Sequence, residues 1–139
     1  MTKKVEVEWK EDLRFFSKKG EYEIVMNSSK DEEVMKNNFS PMELLLVSLA
    51  GCTGMDVISI LKKMRQDVKN FKVTVTGERA DEHPKIYTRI NIHYHFEGSG
   101  IEKDKVERAI ELSYNKYCSV SAMLKKSSDM SYTYEIKSI

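Results

Sequence analysis

The chain lacks the features that would tie it to a charged partner. Its 23 lysines and arginines are matched by 22 acidic residues, for a formal net charge of +1. That balance gives no electrostatic ground for binding nucleic acid or an anionic membrane. Prolines number only two, Pro41 and Pro84, and no repeat, low-complexity run or linker breaks the sequence. One domain over residues 1–139 is therefore expected. No apolar segment follows the opening Met-Thr-Lys-Lys-Val-Glu, so no signal peptide is visible. The most apolar stretch, Leu44 to Ala50, is short for a bilayer span. The expectation is a soluble, cytoplasmic protein. Cysteines are also scarce. In a reducing compartment, Cys52 and Cys118 fit free thiols or a catalytic pair better than a structural staple.

Hydrophobic residues make up 40% of the chain, enough for a globular core. Val5, Val7 and Trp9 alternate with Glu6 and Glu8, the pattern of a half-buried strand. Leu13 to Phe16 and Glu21 to Met26 read as two more strands, with a turn around Lys18-Lys19-Gly20. Ser28 to Asn38 is polar and reads as a loop. Ser40-Pro41-Met42-Glu43 then combines an N-cap serine, a proline at the first helical position and a glutamate at the third. A helix is predicted from Pro41 to about Arg65. It is nearly uncharged from Leu44 to Leu61, with Asp56 the one acid. A surface helix carries a polar stripe, so this helix is expected to be central and covered on most sides.

Phe71 to Arg79 and Ile86 to Phe96 follow as strands. A second helix is predicted from near Glu102, with Val106, Ala109, Ile110, Ser113, Tyr114 and Tyr117 on one face. Ser119 to Lys126 reads as helical and Tyr132 to Lys137 as the last strand. The order is βββ, long α, ββ, αα, β, and segregated strands and helices argue for an α+β fold. A long apolar helix is hard to cover in so short a chain, which points to a homodimer burying it between subunits.

Two stretches carry a family resemblance. Ser40-Pro41-Met42-Glu43-Leu44-Leu45 through Ala50-Gly51-Cys52 resembles the helix bearing the peroxidatic cysteine in the OsmC and organic-hydroperoxide-resistance (Ohr) family. Tyr117-Cys118-Ser119-Val120-Ser121 resembles that family's second-cysteine motif. The resemblance covers nearly the whole chain. It implies an OsmC-like fold, with antiparallel sheets packed on a long central helix, in an intertwined homodimer with active sites at the interface. It further implies that the thiolate of Cys52 attacks a hydroperoxide, preferably an organic one, and becomes a sulfenic acid. Cys118 would resolve it as a disulfide, which an external dithiol reduces. No metal, haem or flavin cofactor is implied.

A peroxidatic thiolate needs a stabilising charge. Cys52 is mid-helix, beyond the reach of the helix dipole. Asp56 and Ser48, four residues either side, share its face, and a carboxylate beside a sulfur works against the thiolate. The family uses an arginine from the N-terminal part of the chain, and Arg14 is the candidate. In the peroxidase branch a glutamate ten residues before the cysteine holds that arginine; here Met42 occupies the position. Glu43 is about 180° round an ideal helix from Cys52, and the capping box already explains it. Another acid substitutes, or the chain belongs to a branch with different activity.

Three other readings compete. The cysteines can be small buried hydrophobes. The fold can serve as a non-catalytic binder of a small hydrophobic ligand at the dimer interface, which Met42 favours. His93 and His95 share a strand face, but zinc normally takes three or four protein ligands, and nothing at close spacing supplies the others. Two exposed strand histidines are the simpler expectation. The strand tyrosines Tyr87, Tyr94, Tyr132 and Tyr134 read as ordinary packing, with no RNA-binding signature beside them. Lys62-Lys63 and Lys125-Lys126 read as solvated helix ends.

Overall fold

A computed structural model describes all of residues 1–139. The elements run β1 (Glu8–Glu11), β2 (Arg14–Lys19), β3 (Tyr22–Met26), α1 (Glu32–Met35), α2 (Pro41–Lys63), β4 (Asp67–Arg79), β5 (Tyr87–Ser99), α3 (Lys103–Leu112), a π-helical turn (Ser113–Tyr117), α4 (Ser119–Leu124) and β6 (Asp129–Ser138). The class is α+β, as expected, with two three-stranded sheets. The chain divides into two compact units, Met1–Leu45 and Leu46–Ile139.

In the first unit, β1, β2 and β3 form an antiparallel meander. Gly20 closes the β2–β3 turn at a positive φ of 62°, which costs glycine nothing. The strand expected from Val5 starts later, at Glu8, and Val5 and Val7 stay exposed. The predicted loop after β3 holds one turn of helix, α1, capped by Asp31 accepting from the Glu33 N–H at 3.0 Å. Four residues are too few to leave a periodic signal. The capping box is present: the Glu43 N–H donates to Ser40 Oγ at 3.1 Å, and the Ser40 N–H donates to Glu43 Oε1 at 3.0 Å.

In the second unit the strand order is β4-β5-β6. β4 and β5 pair antiparallel, but β5 and β6 run parallel. This pairing departs from the antiparallel expectation because α3 and α4 intervene between the two strands, and such a crossover returns the chain in the same direction. Along β5 burial alternates. Ile90, Ile92, Tyr94 and Phe96 are buried, and the residues between them are partly exposed on the other face. Each buried large side chain contributes roughly 1.5–3 kcal/mol. Gly98 permits the closest strand approach, since a Cβ there would lie 2.1 Å from the Asp67 carbonyl oxygen.

α2 packs onto this inner face with Leu49, Thr53, Val57 and Leu61, one residue per turn. It ends in a Schellman motif: Arg65 takes φ 59°, and the Gln66 N–H reaches the Leu61 carbonyl at 3.0 Å. The whole helix, more than Leu44 to Ala50 alone, is apolar: an 18-residue window has a mean hydropathy of 2.0, enough by length and composition for a membrane span. The packed stripe and the hydroxyl of Thr53 inside it identify a core helix instead. Its other side is open in the single chain, where Leu45, Val47 and Met55 are exposed.

Candidate functional site

The site is built where α2 meets the π-helical turn. α3 buries Val106, Ala109, Ile110 and then Ser113, as its periodicity predicts. From Ser113 the helix widens, and the Cys118 N–H bonds to the Ser113 carbonyl at 2.8 Å, five residues back. The wider turn changes which side chains follow the buried face. Tyr114 is only partly buried and Tyr117 is 51% exposed, so Tyr117 leaves the face that a regular helix would give it. Cys118 then becomes the cap of α4, its Sγ accepting from the Ser121 N–H at 3.4 Å.

Cys118 is buried and Cys52 half-buried, and both are free thiols. The two sulfurs and a carboxylate oxygen of Asp56 all lie within 4.8 Å of one another. A disulfide requires about 2.05 Å, and a change of χ1 well moves a sulfur by about 3 Å. Side-chain rotation alone can therefore close a gap of this size between the sulfurs. Burial pushes the Cys118 thiol up from its ordinary range; hydrogen bonds from Ser121 partly offset this, and Cys52 adds to it. Asp56 lies beside Cys52 as the helix spacing predicts.

Sequence reasoning missed three residues of the site. Thr53, from the buried stripe of α2, lies 2.7 Å from the Tyr94 hydroxyl and 2.8 Å from Ser113 Oγ. Ser113 Oγ donates to Asp56 Oδ2 at 3.0 Å. Each hydroxyl has a single proton. Ser113 spends its proton on Asp56, so Thr53 must donate to Ser113 and Tyr94 to Thr53. Burial raises the Tyr94 phenol to about 12, which keeps the proton this direction requires. Tyr94 is thus the head of a polar chain through the core, beyond the packing role its strand position suggested. No sequence signal marks a relay made of residues so far apart along the chain.

Lys125 also departs from expectation. It is half-buried, donates to the Tyr114 carbonyl, and places Nζ 3.5 Å from the centre of that ring. Burial pulls its ammonium down, while attraction to the Cys118 sulfur pulls it up. Its contacts are with Tyr114, so this lysine packs against the turn that precedes Cys118. Arg14 belongs to the Met1–Leu45 unit, on β2, and pairs with Glu11 at 3.2 Å. Its Nε is buried and has no hydrogen-bond partner.

Along its side toward β4, α2 carries an open apolar groove of ≈580 Å³ lined by Val47, Gly51, Gly54, Met55, Ile58 and Val73 among others. Cys52 lies between this open stripe and the buried one. Two side-chain clusters have the donor set for a metal ion: Cys52, Asp56 and Cys118, and a second made of His93, His95 and Glu135. The third residue of the second cluster is distant in sequence, which is why the spacing around the two histidines offered no further ligand. β6 lies parallel to β5 and puts Glu135 opposite His95.

A family model described as OsmC-like protein matches residues 30–133. Protein YhfA of Escherichia coli K12 is 38% identical over 131 residues, covering 94% of this chain and 95% of that protein. A hypothetical protein from Aquifex aeolicus VF5 superposes with a TM-score of 0.88 at 40% identity, covering 100% of this chain and 98% of the other. The organic hydroperoxide resistance protein OhrB of Bacillus subtilis superposes with a TM-score of 0.65 at 14% identity, covering 97% and 98%, a likeness of fold alone.

Proposed function

Because the chain belongs to the OsmC-like protein family, whose members are redox proteins, we propose that it is a cysteine-based peroxidase reducing organic hydroperoxides. The observation that carries the reading is the approach of the Cys52 and Cys118 sulfurs to within 4.8 Å. The thiolate of Cys52 attacks a peroxide oxygen, the O–O bond breaks, and the alkoxide leaves as an alcohol after taking a proton. The Cys118 sulfur then attacks the sulfenic sulfur of Cys52, hydroxide leaves as water, and a disulfide forms. The two thiols supply the two electrons, and an external dithiol restores them.

The protein acts as a homodimer in the cytoplasm, with residues 1–139 as one domain. The open stripe of α2 supports the dimer, since Gly51 has open space where a side chain would sit and Met55 stands exposed. The family match supports the single domain, because residues 30–133 span both units. Arg14 is the candidate cation for Cys52 on the family resemblance. A second reading, binding of a small apolar ligand in the groove without catalysis, is favoured by the burial that pushes the Cys118 thiol up.

Treatment with one equivalent of cumene hydroperoxide tests both. The peroxidase loses both thiols and forms a disulfide in one chain, and turnover with a dithiol fails in Cys52→Ser. Arg14→Ala slows thiol loss with the fold intact. Unchanged peroxide consumption in Cys52→Ser would sink the peroxidase reading.

A further inference from the structure

We propose that His93, His95 and Glu135 form a second site, on the outer face of the β4-β5-β6 sheet, that binds a divalent transition-metal ion of the zinc, cobalt or nickel class. The strand period puts it there. With Ile92, Tyr94 and Phe96 buried on the inner face, His93 and His95 face outward two residues apart. The parallel register then sets Thr133 opposite His93 and Glu135 opposite His95. Neither partner is near the histidines in sequence.

The geometry suits an ion. One ligand atom from each of the three residues lies within 4.8 Å of the others. His93 Nε2 is 3.5 Å from Glu135 Oε1. Metal–ligand bonds of about 2.0–2.1 Å at tetrahedral angles give ligand–ligand edges of about 3.4 Å. His95 Nδ1 already hydrogen-bonds the same oxygen, so an ion would displace that bond. The rings are 4.3 Å apart at 83°, an edge-on arrangement that leaves each nitrogen its own direction.

The other nitrogen of each ring strengthens the case. His93 Nδ1 lies 2.6 Å from Thr133 Oγ1, and His95 Nε2 lies 3.2 Å from Thr74 Oγ1. Each imidazole thus has one nitrogen on a threonine hydroxyl and the other toward the carboxylate. In the metal-free protein the Glu135 carboxylate accepts from His95 Nδ1, so an ion would take the place of that proton; the outer N–H would then donate to the threonine hydroxyl, as it does in metal-binding histidines. Two nitrogens and one carboxylate oxygen suit zinc-class ions over magnesium or calcium, which take oxygen ligands. The histidine side chains are 29% and 28% exposed, so an ion can enter and water can complete its coordination. A cavity of ≈320 Å³ borders His95 and Glu135, with Lys72 and Lys137 on its wall. Their charges oppose a bare cation and favour an anion as a further ligand.

The test is titration of the full-length protein with Co²⁺ alone and with Zn²⁺ alone, followed by calorimetry and visible absorption. We expect one ion per chain, with no thiolate charge-transfer band. His93→Gln, His95→Gln and Glu135→Gln should each weaken binding by at least about tenfold, whereas Cys52→Ser should leave it unchanged. Imidazole NMR signals supply a measure independent of any variant: Zn²⁺ should move those of His93 and His95 and leave His83 in place. Absence of binding at millimolar metal, a thiolate band placing the ion on the cysteines, or affinity unchanged in all three variants would each overturn the proposal.

Discussion

Replacing Thr53 by valine keeps shape and removes one hydroxyl, and it should be among the costliest single-atom changes in this protein. Thr53 is 1% exposed, and Tyr94 and Ser113 are fully buried. Without Thr53 Oγ1, the Tyr94 O–H loses its acceptor at 2.7 Å and Ser113 Oγ loses its donor at 2.8 Å. Ser113 keeps its bond to Asp56. A buried polar group left unpaired costs about 1–3 kcal/mol, so Thr53→Val should destabilise by about 2–4 kcal/mol. For a chain of this length each kcal/mol lowers Tm by about 3–4 °C. Tyr94→Phe should cost only about 1 kcal/mol, because it removes donor and desolvation penalty together.

The double variant distinguishes this network from ordinary packing. Once Tyr94 is phenylalanine, Thr53→Val no longer strands a phenol, so the double variant should be about 1–2 kcal/mol more stable than the sum of the singles implies. Urea unfolding at fixed protein concentration measures all three, with unchanged m-values as the check on two-state comparison. Effects that add to within about 0.5 kcal/mol would refute the directional chain from Tyr94 to Asp56.

Alkaline pH should act through the same tyrosine. The Tyr94 phenol rises from 10.0 to about 12 on folding, through burial. A folded-state value above the unfolded one gives stability present in full below pH 10 and lost as pH rises toward 12. The loss is on the order of 2–3 kcal/mol. Absorbance titration should show Tyr94 and Tyr134 ionising last, the latter because the Glu107 carboxylate accepts its hydroxyl proton; complete ionisation by pH 11 in the folded protein would contradict this. Met55→Glu puts a charge on the open stripe of α2, where Met55 is 72% exposed in the single chain. Light scattering should find a monomer where the parent is a dimer, and an unchanged dimer would place the interface elsewhere.

Local signals made much of the fold legible. The Ser40-Pro41-Met42-Glu43 box located the start of α2 because capping is decided by residues three apart. The alternation in β4 and β5 located both strands because one face of each is covered. The signal failed where no such contrast exists. α1 is one turn long, and Val5 and Val7 alternate as if half-buried yet stay exposed in the single chain. The parallel pairing of β6 follows from the crossover, which residue order implies only once sheet neighbours are known.

The site divides along the same line. Cys52 and Asp56 are one helical turn apart, so their adjacency can be read from the sequence. The partners that define the site's chemistry are non-local: Thr53 reaches Tyr94 and Ser113, Lys125 reaches back over Tyr114, and Glu135 meets His95. Ser113 links the parts. Its hydroxyl holds Asp56 and its carbonyl receives the Cys118 N–H. One residue therefore fixes both the acid beside Cys52 and the backbone that aims Cys118. The widened turn follows from the same geometry, since a regular helix would not return Cys118 to the carbonyl five residues behind it. The two sulfurs come within 4.8 Å of each other just beyond the point where α3 stops being regular, at Ser113, a residue that the buried hydroxyl chain also holds.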